Sequence, residues 1–119
     1  MIGCPVCSNK LSVSRLKCNS CGLAMDSNFS FPRLARLPHE YMDLAEKMIL
    51  CGGNMKDLAV EIGISHPTLR RRIDSLIAEL KRLKEEDEKN ITSILEDIDK
   101  GKIPPEEGIR KIKEVQGEI

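Results

Sequence analysis

The sequence predicts a small cysteine-stapled β ribbon followed by a mainly α region, in which a helix-turn-helix leads into a C-terminal helical hairpin. Three observations carry this. Two C-x-x-C pairs lie within the first 21 residues. The stretch NMKDLAVEIGISHPTLRRR, from Asn54 to Arg72, holds start and stop signals for two short helices around a tight turn. Beyond it, apolar residues recur at helical spacing, with Gly101 and Pro104-Pro105 marking a reversal. The layout that follows is a ribbon at 1–31, a linker at 32–38, a helix-turn-helix domain at 39–83 and a hairpin tail at 84–119.

The ribbon comes first in the chain. Cys4-Pro5-Val6-Cys7 and Cys18-Asn19-Ser20-Cys21 are separated by ten residues. Four thiolates in two such pairs form the closed tetrahedral shell of a structural zinc site, so Cys4, Cys7, Cys18 and Cys21 are the expected ligands and Zn2+ the expected cofactor. A redox C-x-x-C needs one pair in a βαβ setting, and disulfides need an oxidising compartment. A rubredoxin-like iron site normally has its second pair much further along. Leu11, Val13 and Leu16 read as strand, with a turn near Ser8–Lys10 or Ser14–Arg15. Phe29 and Phe31 alternate about Ser30 and predict a third strand. Lys10, Arg15 and Lys17 make the ribbon basic enough to touch phosphate, and a protein partner is the other use such a surface serves. Cys51 has no cysteine partner and is expected to pack in a core.

The linker PRLARLP sets Arg33 and Arg36 between Leu34 and Leu37. Its arginines are candidate phosphate contacts, as in arms that enter a minor groove. The plainer expectation is that the leucines tie ribbon to helices while the arginines stay wet. From His39, the residues Tyr41, Leu44, Ala45, Met48 and Ile49 form the apolar face of a helix ending at Gly52-Gly53.

The central stretch follows from capping chemistry. Asn54 is an N-cap, with Asp57 three residues on. Leu58, Ala59 and Ile62 give an apolar stripe, and Gly63 supplies a left-handed end. Ser65 caps the second helix, where Pro67 sits harmlessly in the first turn. At about 100° per residue, Leu69, Ile73 and Leu76 face the core. Arg71 then points outward and Arg70 and Arg72 flank it. A long donor aimed at base edges with two more near the phosphate walls suits a recognition helix. Ser65, His66, Thr68, Arg70, Arg71 and Arg72 are the candidate DNA contacts.

The run from Gly53 to Ile73, above all GISHPTLRRRI, resembles the Fis-type helix-turn-helix. The resemblance implies DNA binding as a dimer. With a CPxC ribbon in front, the whole is similar to a small prokaryotic family of unknown function. The segment ILEDIDKGKIPPEEGIRKI further resembles the short helical hairpins that end many prokaryotic regulators and are thought to mediate association.

In the tail, Leu69, Ile73, Leu76, Leu80 and Leu83 step by four, three, four and three. Leu76, Leu80 and Leu83 are therefore the expected seam of a homodimer, or a stripe covered by the protein's own tail. The seam meets Glu85-Glu86-Asp87-Glu88 and loses its apolar positions there. Ile91, Ile94, Leu95 and Ile98 then predict a new helix, and Ile109, Ile112 and Val115 a last one.

Composition bounds the function. The 119 residues include one Tyr, two Phe and no Trp, which argues against a large core or an aromatic platform for bases. The net charge of zero hides five Lys/Arg against one acid in residues 1–38, and seven bases against eleven acids from residue 84 onward. No apolar run spans a membrane and no signal peptide is evident, so a cytoplasmic protein is expected. No nucleophile elbow, phosphate-cradling loop or H-E-x-x-H helix is present, so no enzyme is expected. The expected function is a transcriptional regulator binding double-stranded DNA through the helix that starts at Ser65. The alternative is an adaptor using ribbon and tail to bind protein.

Overall fold

The computed structural model describes residues 3–116; the outer ends of the predicted ribbon and tail, residues 1–2 and 117–119, lie outside them. Strands β1 (Val13–Lys17) and β2 (Ala24–Phe29) form an antiparallel hairpin. A 3-10 turn (Arg33–Arg36) leads to α1 (His39–Leu50), α2 (Met55–Ile62), α3 (His66–Asp99) and α4 (Pro105–Val115). The architecture is thus a small β ribbon followed by a mainly α region, as the sequence predicts.

Within the ribbon the second C-x-x-C is itself the hairpin turn, so the strands flank it instead of both lying between the cysteine pairs. Val13 pairs with Phe29 and Leu16 with Met25, across a register shift between Val13 and Arg15. The extra residue lies in β2, between Asp26 and Phe29, and re-aims the end of that strand. Phe29 closes β2 and is buried, whereas Phe31 lies outside any strand, so the expected third strand is absent among the described residues. Phe31's neighbours Pro32 and Arg33 already belong to the approach to the 3-10 turn.

One helix dominates the rest. α3 is 34 residues long, about 51 Å at 1.5 Å per residue, against a longest molecular dimension of 54 Å. The radius of gyration of 18.3 Å exceeds the roughly 13 Å of a compact chain of this size, so α3 acts as a spine. The expected break at the acidic run does not occur. Residues 84–90 contain no Gly or Pro, and Arg82 pairs with Glu79 and Glu86 along the surface. The stripe does not lapse either: after Leu83 it continues four residues on through Asp87, which is buried, and then through Ile91, Ile94 and Ile98. The tail hairpin therefore consists of the far half of α3 and α4, turning at Gly101 (φ 73°). At the crossing, Gly108 is buried, and a Cβ there would collide with the Ile98 side chain.

The core is a single cluster of Leu37, Leu44, Leu58, Leu69, Ile73, Leu76 and Leu83, with Leu80 and Cys51 packed against it. Cys51 is thus a packing residue, as expected. Leu76 and Leu83 are buried in this cluster and Leu80 partly so, which leaves the stripe expected to be a dimer seam largely covered within the chain. The linker follows expectation only in part. Leu37 is fully buried but Leu34 is 56% exposed. Arg36, meanwhile, is almost enclosed.

Candidate nucleic-acid interface and cysteine knuckles

The helix-turn-helix forms by the local chemistry that the sequence announces. Asn54 Oδ1 accepts from the N–H groups of Lys56 (3.0 Å) and Asp57 (3.3 Å), fixing the start of α2. Gly63 ends it at φ 79°, ψ 36°, and its N–H donates to the Ala59 carbonyl. Ile64 tucks against the core from the turn. Ser65 Oγ accepts from the Thr68 N–H (3.4 Å) and donates to Thr68 Oγ1 (2.8 Å).

These caps shape the reading surface. Thr68 Oγ1 also accepts from Arg71 Nη2 at 3.5 Å, so Ser65, Thr68 and Arg71 form one polar line along the outer face of the first turns. Arg70 leans the other way, to Asp74 at 3.4 Å. Both groups are exposed, so that pair adds little and releases Arg70 readily. Arg72 has no acidic partner among the described residues. His66 is exposed on the first turn. Arg71 and Arg72 share a groove of about 550 Å³ with Thr68, Tyr41, Glu40 and Asp43. The two acids on α1 were not singled out in the sequence. Their signal was there: residues 40, 43 and 47 follow one another at helical spacing, on the flank of α1 beside the recognition helix.

The predicted phosphate contacts divide. Arg15 is held by Asp26 across the hairpin, Nε to Oδ1 at 2.7 Å and Nη2 to Oδ2 at 3.3 Å. Lys17 is exposed at the end of β1, and Lys10 lines the clefts between ribbon and α3. Arg33 and Arg36, expected in water, both point inward to Asp87. Arg33 Nε donates to Asp87 Oδ2 at 3.1 Å, and Arg36 Nη2 donates to the same oxygen. Burial pushes the Asp87 carboxyl up, but the hydrogen bonds from Arg36 and Arg33 outweigh it and hold the group below its ordinary range. The second carboxylate oxygen and Arg36 Nε, like Ser30 Oγ, are buried without a partner among the described residues. This clamp links linker to spine across more than fifty residues of sequence.

The cysteine pairs form two equivalent knuckles. The Cys4 N–H donates to the Asn9 carbonyl and the Ser8 N–H to the Cys4 carbonyl. Fourteen residues on, the Cys18 N–H donates to the Leu23 carbonyl and the Gly22 N–H to the Cys18 carbonyl. Each pair is followed by a left-handed residue, Ser8 (φ 62°) and Gly22 (φ 79°). Backbone N–H groups reach sulfur in both: Val6 to Cys4 Sγ at 3.4 Å and Cys21 to Cys18 Sγ at 3.5 Å. The backbones of Cys7 and Val6 lower the Cys4 thiol pKa, and those of Cys21 and Ser20 lower that of Cys18. N–H groups turned toward sulfur favour the thiolate, the form a metal takes. The donor set thus fits a thiolate-bound ion knuckle by knuckle. Among the described residues, no three Cys, His, Asp or Glu side chains are gathered around one point.

Comparison with known proteins agrees with this division. Residues 4–35 match a family model described as the DUF2089 zinc ribbon, and residues 37–82 one described as a domain of unknown function (DUF2089)-HTH. Arg36 alone separates the two matches, and the hairpin beyond residue 82 lies outside both. No curated protein and no solved structure matches the chain. Among the described residues, no helix is long and apolar enough to cross a membrane. With the ribbon and the helix-turn-helix both matched, and in the order in which they fold here, the chain belongs to the DUF2089 family.

Proposed function

We propose that this protein is a zinc-stabilised reader of double-stranded DNA, acting as a transcriptional regulator. Cys4, Cys7, Cys18 and Cys21 would hold one zinc ion in the ribbon, where it supplies cohesion and no chemistry. The observation that carries the DNA reading is the capped start of α3. There the Ser65–Thr68–Arg71 line orients one arginine, and Arg72 stands beside it without an acidic partner. Such an arrangement offers an oriented donor for base edges and a cation for the phosphate wall. The reading requires no catalytic centre.

A binding titration against duplex DNA at several salt concentrations tests it. Affinity should fall steeply as salt rises, because phosphate contacts release counterions. Arg71→Ala should reduce the preference for specific over random duplex by about 1–3 kcal/mol, while Arg72→Ala should weaken all sequences alike. A second reading, a protein-binding adaptor, is favoured by one observation. Arg15, Arg33 and Arg36 are engaged by acids within the chain, and Glu40 and Asp43 face the Arg71 groove. An adaptor would show little DNA affinity and hardly any salt slope.

A further inference from the structure

The ribbon, the far half of α3 and α4 converge on a cleft of about 480 Å³. Residues 90, 93 and 94 on α3, and 111, 114 and 115 on α4, each follow the i, i+3, i+4 spacing of one helical flank. The ribbon supplies the remaining wall through Lys10, Leu11, Ser12, Asn28, Ser30 and Phe31.

The lining has a consistent chemistry. Leu11, Phe31, Ile94 and Val115 give it an apolar part. Asn28, Asn90 and Ser93 add amides and a hydroxyl, and Ser30 Oγ is buried without a partner among the described residues. A buried hydroxyl left unpaired costs free energy until something bonds it. Two lysines, Lys10 and Lys111, stand against a single acid, Glu114. Lys10 has no acidic partner among the described residues. Lys111 reaches Glu107 only at 3.7 Å, in an exposed pair that water weakens.

We propose that this cleft binds a small organic anion, a carboxylate or phosphate monoester carried on an apolar body. Its volume lies within the roughly 300–1,000 Å³ typical of ligand sites, and like them it joins apolar walls to a few polar groups. The two ammonium groups suit an anionic head, while the amides and hydroxyls suit the polar atoms beside it. A bare inorganic anion would leave the apolar walls wet, and a neutral apolar molecule would leave both lysines unanswered. An occupant would bridge ribbon and tail hairpin, a second link beside the one that Arg36 and Asp87 make. The site is separate from the Arg71 face and stands whether or not that face reads DNA.

Amide chemical shifts of the full zinc-loaded chain, titrated with phenyl phosphate, phenylacetate and neutral benzyl alcohol, test the proposal. At least one anion should move the amides of Asn28, Asn90, Ser93 and Lys111, with a dissociation constant in the low millimolar range or tighter. A response to phenyl phosphate alone assigns a phosphate monoester, a response to phenylacetate alone a carboxylate, and a response to both an anion of either kind. Lys10→Gln, and independently Lys111→Gln, should raise that constant about tenfold, the loss of one charge-assisted hydrogen bond. Lys113→Gln, at an exposed position of α4, should leave it unchanged. The same spectra report whether each variant keeps its fold. Neither anion moving these amides at about 10 mM overturns the proposal. So do shifts confined to the Arg71 groove, an equal response to benzyl alcohol, or binding that survives both lysine substitutions.

Discussion

The helix-turn-helix unit and the ribbon are held together in different ways. The first buries Leu37, Leu44, Leu58 and Leu69 in one cluster and caps its helices with Asn54, Gly63 and Ser65. The second, among the described residues, buries Phe29 alone of its large side chains and leaves Val6, Leu23 and Met25 substantially exposed. Two short strands cannot stabilise themselves on one buried ring. The comparison teaches that two modules of one small chain can be stable for separate reasons, one through packed leucines and the other, on the function proposed above, through knuckles that hold an ion.

The sharpest way to break that contrast is to remove metal. A chelator, or Cys18→Ser, should unfold residues 3–31 and leave α1–α3 folded, because structural zinc commonly supplies on the order of 10 kcal/mol to such a site. Amide hydrogen exchange would show lost protection in β1 and β2 only. Equal loss across the helices would mean that the two modules are one cooperative unit.

Next in size is the clamp between them. Asp87→Ala leaves Arg36 enclosed without its partner and should cost about 3–5 kcal/mol, with Arg33 contributing less because water screens it. Since the folded carboxyl is held below its ordinary range, its stabilising effect is complete at neutral pH. It is lost as pH falls through the folded value, below the carboxylate's normal 3.8. Denaturant midpoints measured from pH 7 down to pH 3 should therefore decline more in the wild type than in Asp87→Asn. Parallel declines would show that the carboxylate is not what links linker to spine.

The smallest effects compare one surface contact from each module. Asn54→Ala removes a cap that satisfies two N–H groups and should cost about 1 kcal/mol. Arg15→Ala breaks an ion pair that is 65% exposed on both sides and should change stability by less than about 0.5 kcal/mol. Thermal melts of the zinc-loaded variants would rank them, and a reversed order would mean that the ribbon pair is shielded from solvent.

Local chemistry was legible in the sequence and distant pairing was not. Asn54, Gly63 and Ser65 act within a few residues of themselves, and so do the two C-x-x-C knuckles. Each announces its geometry through spacing alone. Asp87 could not be read that way. A carboxylate in an acidic run looks solvated, and only its partners fifty-odd residues earlier make it a core residue in the α3 stripe. The same blindness placed Leu34 inside and Arg36 outside, and left open whether a second chain or the protein's own tail covers Leu76 and Leu83. Alternation in a short linker says which side chains differ in facing, but not which face meets the protein.

The uninterrupted α3 has a consequence for the geometry of this protein. A helix advances 1.5 Å and turns 100° with each residue, so it keeps angular phase between whatever it carries at its two ends. The reading face near Arg71 and the hairpin crossing at Ile98 are mounted on the same shaft, with no joint between them to take up an error. One residue inserted between them would rotate one module about the other by roughly a quarter turn, whereas seven would restore the bearing to within about 20°. The number of residues in α3 is therefore an angular coordinate of the molecule.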